Sequence, residues 1–276
     1  MKTIKIVIYS LCISGFVFGL YVWNKWNVRQ KRLCSTVHIR PIDECVQQTM
    51  RKPLPQNLFV DLFSYPLLYL GKGKQSIAYE TSDGQYVVKF FKQSKKKQQK
   101  LYQAIEGAYI AWAYIPEDTG IIGCSLGDQE LPVSEIKLLN KKGKLEKINI
   151  KNTPFVVQKK AMPLKRTLLR LMAQNKDNEA KALLISIFSV LTTCREKGIL
   201  DRDGSLMRKG NMGVISGKAV LIDTGKLYLF SAPERQTLHD VNRAKPLRKW
   251  LQQACPELVS LYKQCCIEYC NTGEKI

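Results

Sequence analysis

The chain has 276 residues, 45% of them hydrophobic, enough for one sizeable domain or a two-lobed unit, which excludes wholesale disorder. Its formal net charge of +21 requires negatively charged partners, and charge alone does not choose among phosphate-rich ligands, nucleic acid and anionic lipid. The 9 cysteines are odd in number and irregular in spacing, a poor disulfide framework, and Cys265, Cys266 and Cys270 lack the ligand spacing of a metal site.

The run from Ile6 to Trp23 carries no charged side chain, and at ~1.5 Å per residue it gives ~27 Å of helix, close to the hydrocarbon thickness of a bilayer. Residues 1–24 therefore read as a membrane anchor; the apolar core of a cleaved signal peptide is shorter and is followed by a small-residue cleavage pattern. Lys25, Arg29, Lys31 and Arg32, with Tyr21, Trp23 and Trp26, place the bulk of this single-pass chain on the cytoplasmic side, in reach of anionic lipid. Pro41, Pro53 and Pro55 break residues 25–64 into a tether with short ordered pieces.

Three short strands are expected next, at Leu67–Leu70, Ile77–Glu80 and Gln85–Phe91, with Ser82-Asp83-Gly84 as turn chemistry, so a small antiparallel sheet follows. Leu101, Ile105, Ala108 and Trp112 recur at helical spacing within Lys95–Ile115, and Pro116 stops that helix. Strands at Val133–Leu139 and Phe155–Lys159 precede two helices, Leu164–Ala173 and about Asn178–Lys197, the second closed by Gly198. Sheet first and helices second is an α+β order.

Three pieces carry chemistry. Between the first two strands, Gly71-Lys72-Gly73 offers backbone N–H groups that approach phosphate oxygens, although a plain glycine hairpin explains it equally well. Lys89 sits inside the apolar strand Tyr86–Phe91, where it either snorkels at an edge or points inward at an anion. Met212–Ile215 and Lys218–Ile222 form a hairpin around Ser216-Gly217, which brings Asn211 and Asp223 to its open end. An amide oxygen and a carboxylate there suit one hard cation such as Mg2+; alternatively, the two residues merely cap and turn.

In this order the pieces resemble the protein-kinase-like superfamily, as an atypical or degenerate bacterial-type member, over roughly Tyr65 to Lys226. The resemblance implies a two-lobed α+β fold: an N-lobe at 65–160 with a small antiparallel sheet plus helix, and a reduced helical C-lobe at 161–276, preceded by one transmembrane helix. It implies that Gly71, Gly73 and Lys89 hold the phosphates of ATP, with Glu106 as the ion-pair partner of Lys89 and Val157–Met162 as the hinge beside adenine. Gly-Ile-Leu-Asp201-Arg202-Asp203 resembles the catalytic loop, with Asp203 as base and Asp201 as its substitute. Asp223-Thr224-Gly225 resembles the metal motif, completed by Asn211. The function implied is a membrane-anchored kinase that moves phosphate from Mg-ATP to a protein or small-molecule hydroxyl.

Departures from the family pattern support a second reading. The Asp203-to-Asn211 spacing is longer than in the family's catalytic loop, no Ala-Pro-Glu element follows Gly225, and few residues remain for the helical lobe. These features suit a pseudokinase scaffold that binds nucleotide or a partner protein without catalysis. Nucleic-acid binding is the weakest reading, because aromatic residues are not interleaved with the basic ones.

Overall fold

A computed structural model describes residues 56–92, 98–125, 133–151, 153–203, 205–208, 210–230 and 233–273. Helix α1 (Gln56–Ser64) buries Phe59, Leu62 and Phe63, which helical spacing sets on one face, so the end of the stretch read as a tether belongs to a core. Strands β1 (Leu67–Lys72), β2 (Ser76–Glu80) and β3 (Tyr86–Phe91) then pair antiparallel in sequence order. Gly84 turns between β2 and β3 at φ +68, and Asp83 Oδ1 accepts from Gln85 N, the turn that Ser82-Asp83-Gly84 predicts.

Helix α2 (Gln98–Tyr114) and a single turn α3 (Pro116–Thr119) lead to β4 (Ile121–Ser125), then β5 (Glu135–Leu139), β6 (Leu145–Asn149) and β7 (Phe155–Lys159). Together they complete a seven-stranded sheet in the order β4-β7-β3-β2-β1-β5-β6. The sheet is larger than expected and is not wholly antiparallel, since β1 runs parallel to β5 with Leu67 opposite Leu138. Phe59, Phe63, Phe90 and Phe155 pack ring against ring at 5.6–6.0 Å between α1 and the sheet. A second core lies around α2, where Leu101, Ile105 and Ala108 join residues of the helices that follow.

Those helices are α4 (Leu164–Ala173), α5 (Asp177–Glu196), α6 (Pro233–Ala254) and α7 (Val259–Gly273). Two small sheets lie among them. One places β8 (Met162–Pro163), β10 (Met212–Ile215) and β11 (Lys218–Leu221) in the order β11-β10-β8; the other pairs β9 (Ile199–Asp201) with β12 (Leu227–Leu229). Ser216 and Gly217 both take positive φ, 49° and 79°, so a tight primed turn closes the β10–β11 hairpin as its sequence predicts.

The expected fold class needs a correction: no helix among the described residues is long and apolar enough to cross a membrane. The two longest, α6 and α5, carry charge along their length, including Asp240, Arg243, Arg248 and Lys249 in α6 and Asp177, Glu179, Lys181 and Arg195 in α5. The segment Ile6–Trp23, on which the expectation of a transmembrane helix was placed, lies outside the described residues. What the structure describes is an α+β fold of a seven-stranded sheet with packed helices.

Candidate functional site

The glycine loop joins β1 to β2, with Gly73 N donating to Ser76 O at 3.0 Å. A Cβ added to Gly71 would meet nothing within 4 Å, and one on Gly73 only Ser76 O at 3.8 Å. Protein packing therefore does not demand glycine at either position. At the loop's tip, Gln75 Nε2 donates to Lys100 O of α2 at 3.0 Å, and Lys92 Nζ donates to Gly73 O.

Lys89 points inward. Its Nζ donates to Gln158 Oε1 at 2.7 Å and to Ile222 O at 2.6 Å, two uncharged acceptors. Burial pushes its pKa down to about 8, partly offset by the charge of nearby Asp223. Glu106 lies half-buried on α2 and forms no ion pair with Lys89. Sequence reasoning put Gln158 in the Val157–Met162 hinge beside adenine and missed its contact with Lys89, whose signal is a lone polar residue in the buried run Phe155–Gln158. Beyond it the chain leaves the large sheet, tied by Lys160 Nζ to Glu80 Oε2 at 2.6 Å, and enters β8.

Asp201 and Asp203 stand two residues apart but differ in surroundings. Asp201 is buried; its Oδ1 accepts from Asp203 N at 2.8 Å, and its Oδ2 pairs with Arg243 Nη2. Burial raises its pKa, against the lowering charge of Arg243. Asp203, 3% exposed, receives Arg208 Nη1 at 2.7 Å and Lys226 Nζ at 3.1 Å on Oδ1. Burial alone would raise its pKa too, but hydrogen bonds from Lys226 and Asn211 and the charges of Lys226 and Arg208 outweigh it, so its pKa lies below the ordinary value.

Asn211 extends the hairpin ladder by accepting Ile222 N on its backbone oxygen at 2.8 Å. Its Nδ2 donates to Ser205 O at 2.7 Å, which leaves Oδ1 as the side-chain atom suited to a cation. Asp223 is exposed, with Oδ1 accepting from Gly225 N at 3.2 Å. Among the described residues no group of three or more His, Cys, Asp or Glu could hold a metal ion. Asn211 and Asp223 supply two hard oxygen donors, which fits Mg2+, an ion that takes few protein ligands and fills its octahedron with water and phosphate oxygens. Cys265, Cys266 and Cys270 are free thiols.

The structure thus gathers Lys89 and Asp223 at the end of β11, and places Asp201 at the end of β9 with Asp203 and Asn211 in the stretch that follows, while Glu106 forms no ion pair with Lys89. Another residue whose role the sequence reading missed is Gly107. A Cβ there would lie 2.2 Å from Thr224 O, so α2 seats directly on the Asp223-Thr224-Gly225 backbone. Gly107→Ala is expected to destabilise the protein by about 1–3 kcal/mol through overpacking, outweighing alanine's better helix propensity; urea unfolding measures it.

No family model matches the chain, and no curated protein matches it. Among solved structures it is similar to a crystal structure of a Stt7 homolog from Micromonas algae soaked with ATP, at 17% sequence identity and a TM-score of 0.44. The match covers 70% of this chain and 56% of that one, so the chain spans little more than half of that structure's length.

Proposed function

We propose that the chain is a kinase-like, Mg2+-dependent nucleotide-binding protein that transfers phosphate from ATP to a hydroxyl acceptor. One observation carries this reading: Lys89 is half-buried, with its ammonium held by uncharged acceptors at the end of the strand that delivers Asp223, and among the described residues no carboxylate lies within ion-pair distance of it. A desolvated ammonium without an ion-pair partner is costly, the charge of Asp223 offsets only part of that cost, and a phosphate supplies the rest. Gly71 and Gly73 would admit phosphate oxygens to the loop's N–H groups, and Asn211 and Asp223 would hold Mg2+, which supplies charge neutralisation between the phosphates. Asp203 would orient the acceptor hydroxyl.

The test is calorimetric titration of Mg-ATP into the full chain, with EDTA as control. Wild-type binding that Lys89→Ala and Asp223→Ala each weaken by about tenfold or more is expected, as for loss of a charged contact. A folded parent that does not bind sinks the proposal. Affinity is also expected to fall as pH rises through about 8, because phosphate prefers the ammonium, which is lost there rather than near the ordinary value of 10.5. Protein stability should move the other way, rising between those two values, since the folded state holds the Lys89 proton less tightly than the unfolded chain.

The two cations on Asp203 favour a second reading, a nucleotide-binding scaffold without transfer, because Arg208 and Lys226 already occupy the Oδ1 to which an acceptor hydroxyl would donate. Nucleotide turnover separates the two.

A further inference from the structure

We propose that Gln158 is the positioning residue of Lys89: its buried amide, in place of the Glu106 carboxylate, fixes the ammonium between the large sheet and the end of β11, just before Asp223. The inference rests on the phosphate-contacting role proposed above for Lys89.

In the β3–β7 ladder Lys89 stands opposite Val156, so Gln158, two residues on, lies on the same face as its diagonal neighbour. The amide has only one satisfactory orientation. Its Nε2 donates to Thr119 O at 2.5 Å and to Leu221 O at 3.2 Å, which leaves Oε1 for Lys89 Nζ at 2.7 Å. A flipped amide would face two carbonyls with its oxygen and an ammonium with its NH2, losing all three bonds. Gln158 and Lys89 therefore take the consecutive carbonyls of Leu221 and Ile222, and together they stitch β7 and β3 to the chain just before Asp223.

The choice of amide over carboxylate has a chemical consequence. A carboxylate at this distance would neutralise the ammonium; an amide oxygen orients it and leaves its charge for an incoming anion. Glu106, on α2, makes no such contact.

The test is a pair of double-mutant cycles on the full chain, read both in Mg-ATP affinity and in urea unfolding. Gln158→Met is expected to weaken Mg-ATP binding by about tenfold, and to have little further effect once Lys89→Met is present, as for two residues of one unit. Glu106→Gln is expected to change affinity by less than about twofold and to add independently to Lys89→Met. If Gln158→Met does not fold, Gln158→Asn keeps an amide but draws it back by one methylene, and the same loss and coupling are expected. Additivity between Lys89 and Gln158, or a loss on Glu106→Gln as large as that on Lys89→Met, overturns the inference. If the folded parent binds no Mg-ATP, the proposed function fails, and the unfolding cycle alone decides whether Gln158 holds Lys89.

Discussion

Replacing Arg243 with methionine is expected to cost about 3–5 kcal/mol of unfolding free energy, the loss that follows when one partner of a buried ion pair is removed. Arg243 is 3% exposed and lies between two buried carboxylates, with Nη2 on Asp201 Oδ2 and Nη1 on Asp240 Oδ1 at 3.0 Å. Tyr269 Oη donates to Asp240 Oδ2 at 2.7 Å, and the Arg195 guanidinium lies 4.2 Å from the Tyr269 ring centre. Methionine matches the volume of the stem but leaves Asp201 and Asp240 without their shared cation. Because Asp201 is bonded to Asp203 N, the damage also reaches the loop that presents Asp203.

The pH dependence checks the cause. Burial holds the pKa of Asp201 above its ordinary value, so the folded state binds that proton more tightly than the unfolded chain, and stability from this group rises as pH falls through that window. Without Arg243 the pKa moves higher still, and the deficit of the variant should narrow as the solution is acidified. Urea unfolding at neutral and mildly acidic pH measures both. A deficit under about 1 kcal/mol, within the range of exposed pairs, would show that the network contributes little.

Much of this architecture is legible in the residues, and the parts that are not have physical reasons. Leu164–Ala173 is readable because Leu164, Leu168 and Leu171 recur at helical spacing and are buried together with Thr167, and the β10–β11 hairpin because Ser216-Gly217 suits its turn. β4 hides behind Gly123, where its pairing register with β7 shifts, and β6 is an edge strand whose Glu146 and Lys147 interrupt the apolar pattern that marks a strand. The period of α6 is broken by Asp240 and Arg243, charged residues that face inward to each other, and by Pro246.

At the site, the positions of Lys89, Asn211 and Asp223 follow from strand and hairpin patterns, which are local. The partner of Lys89 is not local: Gln158 comes from a strand 69 residues on, and spacing offers no way to prefer it over a glutamate on the next helix. The choice between Asp201 and Asp203, open in the sequence, becomes a matter of neighbours, since one faces a buried guanidinium and the other two partly exposed cations.

Asp203→Asn is expected to lower Mg-ATP turnover by about 10²- to 10⁴-fold, the usual contribution of a positioned acid or base, while leaving Mg-ATP affinity within about threefold. The low pKa of Asp203 does not argue against the role. Phosphoryl transfer through a loose transition state asks little of a base beyond orienting the hydroxyl, and a carboxylate that stays ionised accepts that hydrogen bond at any physiological pH. Asparagine retains size but offers one acceptor instead of a charge, and its NH2 would face Arg208 and Lys226, two donors.

Lys226→Ala supplies the converse, since removing that cation moves the Asp203 pKa toward its ordinary value and should carry the acid limb of turnover upward with it. Asp201→Asn weakens the Arg243 pair instead, so its loss of turnover should follow the fraction unfolded rather than a chemical step. A coupled assay of ADP release, run beside calorimetric affinity for each variant, distinguishes these effects. Equal turnover in wild type and Asp203→Asn, at unchanged affinity, would mean that the two cations have retired Asp203 from chemistry, and that the site binds nucleotide in order to shape a surface rather than to move phosphate.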